Sequence, residues 1–216
     1  MSKKITIIHT TMATVSTIPN MIKEMYGDKF EIVNVMDDSL LNEIKTHGSI
    51  TKSVIERFVQ YAIIAKNNKS DAILLACSSI GEAADVTRNI VDISLFKIDE
   101  PMAELAISKG NRILVLGTVK STLEPTSNLI KTKVLSNNQT VTCKQIENVF
   151  ELYQIDRELH DKKIAEVVDE NINDYDVIVL AQASMANAIK YINGDKNKIL
   201  TSLPLGLKQL ESLINV

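Results

Sequence analysis

Three observations in the sequence predict an α/β protein built of two similar halves. Short β-branched runs alternate with amphipathic stretches along the whole chain, the pattern of a parallel sheet covered by helices. One stretch of about a hundred residues is echoed by the next. No Gly/Pro/Ser-rich linker divides the chain, so any two lobes are expected to pack closely.

The strands follow in order. Ile5–Ile8 is an apolar run ended by His9, and Glu31–Val35 alternates like a half-covered strand. Asp71–Ala76 and Ile93–Ile98 complete the first set. Arg112–Gly117, Thr140–Gln145, Asp176–Ala181 and Lys198–Thr201 form the second. Between strands, Ile50, Val54, Phe58, Ala62 and Ala65 recur at helical spacing, as do Ile164, Val168 and Ile172. Pro101 and Pro204 sit where first-turn prolines belong, and Ser39, Ser49 and Ser121 are candidate N-caps.

The repeat is legible residue by residue. Ile73-Leu-Leu-Ala-Cys-Ser-Ser-Ile-Gly-Glu-Ala-Ala aligns with Ile178-Val-Leu-Ala-Gln-Ala-Ser-Met-Ala-Asn-Ala-Ile. Ile7-Ile-His-Thr-Thr matches Val115-Leu-Gly-Thr-Val, and Ile98-Asp-Glu-Pro-Met echoes Ser202-Leu-Pro-Leu. The implied lobes are residues 1–98 and 99–202, with residues 203–216 packing back on the first. In open parallel sheets ligands bind beyond the carboxyl ends of the strands. Two halves facing each other would bring those ends to one cleft, with Cys77 opposite Gln182.

Composition narrows the partners. Net charge is −3 with acids and bases mixed, so a basic stripe for nucleic acid is missing. Aromatic content of 4 % with no Trp leaves little to stack on a large flat ligand, and a small polar substrate fits better. Nowhere do eighteen apolar residues run together, and the first apolar run is too short for a signal-peptide core. The expectation is a cytoplasmic protein without a membrane partner. Cys77 and Cys143 are the only cysteines; they show no metal-ligand spacing, and three scattered histidines add none. No glycine-rich phosphate loop is present.

Cys77 is the chemical centre that the sequence offers. It follows a buried-strand run and precedes Ser78 and Ser79, with a helix beginning near Ile80. A thiol at a helix N-terminus is expected to have a lowered pKa, and the same N–H groups could hold a carboxylate. The alternative is packing, since a lone cysteine after a strand is usually core. Thr10 and Thr11 after the first strand, and Thr118, Ser121 and Thr122 after the fifth, are hydroxyl clusters suited to a carboxylate or to helix capping. Ala183 and Ser184, which follow Gln182, are candidates to bind the substrate with it. His9 is a candidate second acid/base. His47 and His160 read as solvent-facing, Cys143 as structural, and Asp37-Asp38, Asp99 and Glu100 as turn and cap residues.

With these segments in view, the sequence resembles the aspartate/glutamate racemase superfamily, which includes hydantoin racemases, maleate isomerase and arylmalonate decarboxylase. The resemblance is carried by Asp37-Asp-Ser-Leu-Leu, Ala76-Cys-Ser-Ser-Ile-Gly, Ile98-Asp-Glu-Pro-Met, Gly117-Thr-Val-Lys-Ser-Thr-Leu-Glu-Pro-Thr and Leu180-Ala-Gln-Ala-Ser-Met. It implies two flavodoxin-like lobes with the active site in the cleft between them, no cofactor, a small carboxylic-acid substrate and a homodimer. It also implies two cysteines, one per lobe, exchanging the α-proton on opposite faces. Cys77 matches the first, and Gln182 stands at the second. An amide is no base, so the expected activity is that of an isomerase or racemase relative working with one thiol. A decarboxylase or lyase, and a non-catalytic carboxylate-binding protein, are the alternatives.

Overall fold

The computed structural model describes residues 2–214. The chain divides into two compact units, one made of residues up to Ile98 together with those from Gly206 on, the other Asp99–Leu205.

The first unit holds β1 (Lys3–His9), α1 (Met12–Tyr26), β2 (Phe30–Met36), α2 (Ser39–His47), α3 (Lys52–Asn67), β3 (Ala72–Leu75), α4 (Gly81–Arg88) and β4 (Ser94–Lys97). Its four strands are parallel in the order β2-β1-β3-β4. The chain continues in the second unit through α5 (Glu100–Lys109), β5 (Arg112–Gly117), α6 (Lys120–Thr132), β6 (Thr140–Gln145), α7 (Leu152–Ile155), α8 (Arg157–Asn171), β7 (Val177–Leu180) and β8 (Ile199–Thr201). Here the parallel order is β6-β5-β7-β8, the first order repeated four strands on. Two further helices follow, α9 (Ser202–Lys208) and α10 (Glu211–Ile214).

Alternation along the buried strands explains why helices cover both faces. In β5 and β7, Ile113, Val115, Val177 and Val179 pack with Met102, Ala106 and Ile130 of α5 and α6. Their neighbours Leu114, Leu116, Ile178 and Leu180 point the other way, to Ile164 and Val168 of α8 and to Met185 and Ala188. In the first unit, Val54, Phe58, Ala62 and Ala65 of α3 join Ile8, Ile73 and Leu75 in one cluster. Burying each of the larger side chains, Val, Leu, Ile, Phe or Met, contributes about 1.5–3 kcal/mol before conformational entropy is counted. The last residues close the first unit: Gln209 Nε2 donates to Lys97 O at 2.9 Å, and Tyr26 Oη donates to Leu207 O at 3.0 Å. A Cβ at Gly206 would lie 2.0 Å from Ile98 O, so this approach requires glycine.

Helix starts differ from the sequence expectation. Asp37 Oδ1 accepts from Ser39 N at 2.9 Å, so the acid rather than Ser39 satisfies the start of α2. Thr51, not Ser49, caps α3 by accepting from Val54 N, and Ser121 lies inside α6 behind Val119. His160 is not solvent-facing: it is 1 % exposed, because it lies on the face of α8 that carries the core residue Ile164 one turn later.

The helix expected after Gln182 is also different. Ala183–Tyr191 forms a nine-residue 3-10 helix, whereas its counterpart in the first unit is a short 3-10 turn, Ser78–Ile80, running into α4. No helix among the described residues is long and apolar enough to cross a membrane.

Candidate active site

The strand order places a topological switch between β1 and β3 and another between β5 and β7, where ligands bind in sheets of this kind. At each switch the paired strands stop in step. Ile8 pairs with Leu75, and Ala76 N donates to Ile8 O at 3.0 Å. Leu116 pairs with Leu180, and Ala181 N donates to Leu116 O at 2.8 Å. Counting on by the same register brings Thr10 beside Cys77 in the first unit and Thr118 beside Gln182 in the second.

Cys77 is extended, at φ −147° and ψ 117°, and immediately precedes the Ser78–Ile80 turn. Although it keeps partial exposure, the surrounding protein pushes its thiol up, because burial disfavours the thiolate. Donors from the Thr10 hydroxyl, the Ser79 backbone N–H and hydroxyl, and the Ile80 backbone N–H pull in the opposite direction without overcoming burial. The lowered pKa expected from a helix N-terminus is therefore corrected: local N–H groups are present, but desolvation outweighs them. The Ile80 N–H is a contributor that side-chain reading could not reveal.

Thr10 is 1 % exposed, and its Oγ1 meets no partner at hydrogen-bond geometry among the described residues. It lies near enough to Cys77 to favour the thiolate, yet it forms no complete bond with the sulfur. Thr11 is the N-cap of α1 and accepts from Ala13 N at 3.1 Å.

His9 is completely buried; Nδ1 lies 2.8 Å from Thr14 Oγ1 and Nε2 lies 3.0 Å from Asn34 Oδ1. Burial lowers its pKa, with the Asn34 contact acting against that shift. With both ring nitrogens engaged, His9 braces the end of β1 against α1 and β2.

In the second unit the amide of Gln182 is oriented by chemistry alone. Its Oε1 lies 2.6 Å from Thr118 N and 3.0 Å from Thr118 Oγ1. A backbone N–H can only donate, so the atom facing it must be the carbonyl oxygen. The two Nε2 hydrogens are thereby left available, and they bond to no described residue. Thr118, buried at 3 % exposure, spends its hydroxyl hydrogen on Gln182. Ser121 is itself engaged in an interaction, Thr122 N lies 3.3 Å from Val119 O, and Ala183 and Ser184 open the 3-10 helix.

Cys143 is exposed on β6, with Sγ 2.8 Å from Ser127 Oγ. Among the described residues, no group of three or more His, Cys, Asp or Glu side chains could hold a metal ion. A groove of about 380 Å³ in the second unit is lined by Asp169, Ile172, Asn193 and Lys198. It lies by the amino end of β8, and the Asp169 carboxylate is already taken by the N–H groups of Asn193 and Gly194.

A family model described as Asp/Glu/Hydantoin racemase matches residues 5–200. No curated protein matches the chain. Among solved structures, a glutamate racemase isoform from Bacillus anthracis is 18 % identical over 99 % of this chain and 82 % of its own, with a TM-score of 0.72. An allantoin racemase from Klebsiella pneumoniae is 15 % identical over 99 % of this chain and 88 % of its own, with a TM-score of 0.70. A Picrophilus torridus aspartate racemase is 15 % identical over 98 % of this chain and 94 % of its own, also with a TM-score of 0.70. At these identities the likeness is one of fold.

Proposed function

Because this chain belongs to the Asp/Glu/hydantoin racemase family, we propose that it is a cofactor-independent enzyme acting at the carbon α to the carboxylate of a small acid, with Cys77 as its acid/base or nucleophile. The observation that carries this reading is the Thr10 hydroxyl, buried beside Cys77 with no hydrogen bond completed among the described residues. An unsatisfied buried polar group costs about 1–3 kcal/mol, and a thiolate formed on Cys77 during turnover would supply the acceptor that this hydroxyl lacks. Gln182, with its carbonyl held by Thr118, serves in this proposal as a hydrogen-bond donor to a carboxylate or an enolate-like oxygen.

The raised pKa of Cys77 favours a second reading within the same chemistry. A thiol that stays protonated at neutral pH is suited to give a proton rather than to take one. In a one-thiol decarboxylation, the bond between the α-carbon and the leaving carboxylate breaks and CO₂ departs. The electron pair passes into the remaining carboxylate as an enediolate, and Cys77 S–H protonates the carbon. The resulting thiolate is stabilised by Thr10 and by the Ser79 and Ile80 N–H groups, and water returns the proton.

The test is incubation in D₂O with a panel of α-substituted, malonate-type and unsaturated small acids, followed by NMR for exchange, isomerisation or CO₂ loss. Turnover of one acid is expected, with Cys77→Ser reducing it about 10²–10⁴-fold, the usual contribution of a positioned acid/base. Equal binding of an acid to wild type and Cys77→Ser, with turnover in neither, would instead identify a carboxylate-binding protein.

A further inference from the structure

The segment that begins at Gln182 is at odds with its own sequence. Ala183–Tyr191 contains three alanines, a methionine and a lysine, and neither glycine nor proline, a composition that favours the α-helix. It is nevertheless wound as a 3-10 helix for nine residues, whereas such helices seldom exceed three or four. The equivalent segment of the first unit does become α-helical, even with Gly81 as its first residue. Tertiary contacts therefore override local preference in this segment, and a long stretch of 3-10 helix often marks a hinge or a sequence under strain.

The contacts come from α8. Asp161 is 1 % exposed, its Oδ1 lies 2.9 Å from His160 Nδ1, and its Oδ2 is buried without a hydrogen-bond partner among the described residues. The cation nearest that oxygen in the ion-pair geometry is Lys190, with Nζ at 3.9 Å. Lys190 also lies 4.8 Å from the centroid of the Tyr191 ring. The middle of the 3-10 segment packs through Met185 and Ala188 on Ile164 and Val168 of α8, and its far end meets, through Lys190, a carboxylate oxygen with no hydrogen-bond partner among the described residues.

We infer that Ala183–Tyr191 is a two-state element, 3-10 while Lys190 is drawn to Asp161 and α-helical when that latch is released. At rises of about 2.0 and 1.5 Å per residue, rewinding nine residues shortens the segment by about 4–5 Å. Gln182 is fixed at its start by Thr118, so the shortening falls on the far end and reaches Gln182 only through the bond that its backbone carbonyl accepts from Met185 N; this functional consequence rests on the reading of Gln182 as a substrate contact. Asp161 and Lys190 are positioning residues.

NMR on the full-length protein tests the switch without any assay of turnover. Wild-type amides of residues 183–191 should exchange with solvent at least about tenfold faster than those of α4. Lys190→Met, at an exposed position, should move the ¹³Cα shifts of residues 183–191 toward α-helical values. Asn187→Ala, also exposed, should do the same by raising helix propensity alone. Wild-type exchange as slow as in α4, or shifts unchanged in both variants, would overturn the inference. Altered shifts in a protein that turns over no acid would leave the switch standing and remove the enzymatic reading.

Discussion

At Cys77 and Thr10 the same atoms bear on reactivity and on stability. Burial holds the Cys77 thiol above the ordinary cysteine value of about 8.5, while Cys143 is exposed. At pH 7 iodoacetamide should therefore modify Cys143 first, and the rate at Cys77 should rise with pH through an inflection above that value. Peptide mass spectrometry reads both; an early, pH-independent label at Cys77 would contradict the desolvation account. The sign for catalysis follows from the role. A reaction using the thiol as acid stays level through neutral pH and falls as pH rises through the raised pKa, whereas one using thiolate climbs there. Thr10→Val removes a hydroxyl that completes no hydrogen bond among the described residues and keeps the shape. Thermal unfolding should show stability unchanged or raised by about 1 kcal/mol, while turnover falls tenfold or more. A loss of stability with full activity would assign Thr10 to structure.

Elements in this fold are held at their ends by specific contacts. The approach of α9 to Ile98 leaves no room for a methyl group, since a Cβ at Gly206 would meet a backbone carbonyl rather than a movable side chain. Gly206→Ala is expected to destabilise the protein by about 3 kcal/mol or more, read as a shift in urea midpoint. After β2, Asp37 binds Ser39 N and Oγ, Tyr61 Oη at 2.7 Å and Arg57 Nη1 at 3.3 Å. Although burial alone would raise the Asp37 pKa, these donors together hold it below the ordinary carboxylate value. A depressed carboxylate stabilises the fold above its unfolded pKa of about 3.9, and that contribution is lost as pH falls through the folded value. Wild type should therefore lose melting temperature below about pH 4. Asp37→Asn should start lower at pH 7 and fall less between pH 5 and 3; parallel curves would show that Asp37 is not the linked group.

For the whole molecule, duplication is the organising fact, since one strand order serves both units and Thr10–Cys77 corresponds to Thr118–Gln182. If Gln182 stands where a second proton-exchanging thiol would act, Gln182→Cys should raise racemisation of the panel acids at least tenfold above wild type, by chiral chromatography. Unchanged racemisation, with the wild-type reaction retained, would show that the second station does not reach the α-carbon. The central strands β1, β3, β5 and β7 and the repeat were legible because buried parallel strands write themselves as apolar runs ending in small polar residues, whereas the exposed β6 was legible only from its β-branched residues. The pairing of Thr118 with Gln182 was not, because register is a property of two strands and of neither alone. Nor was the direction of the Cys77 shift: a thiol after a strand and before a turn looks electropositive in sequence, and only packing shows how little water reaches it. His160 was misplaced because a polar residue among charged neighbours reads as surface until the helix phase is known. The partition of the chain has one more consequence. The first unit is interrupted between Ile98 and Gly206, and Gln209 and Leu207 supply it with hydrogen bonds. During synthesis on a ribosome, the second unit therefore has all of its residues before the first does. The earlier-made unit, the one that carries the thiol, waits for the later-made residues, so the order of completion is the reverse of the order of translation.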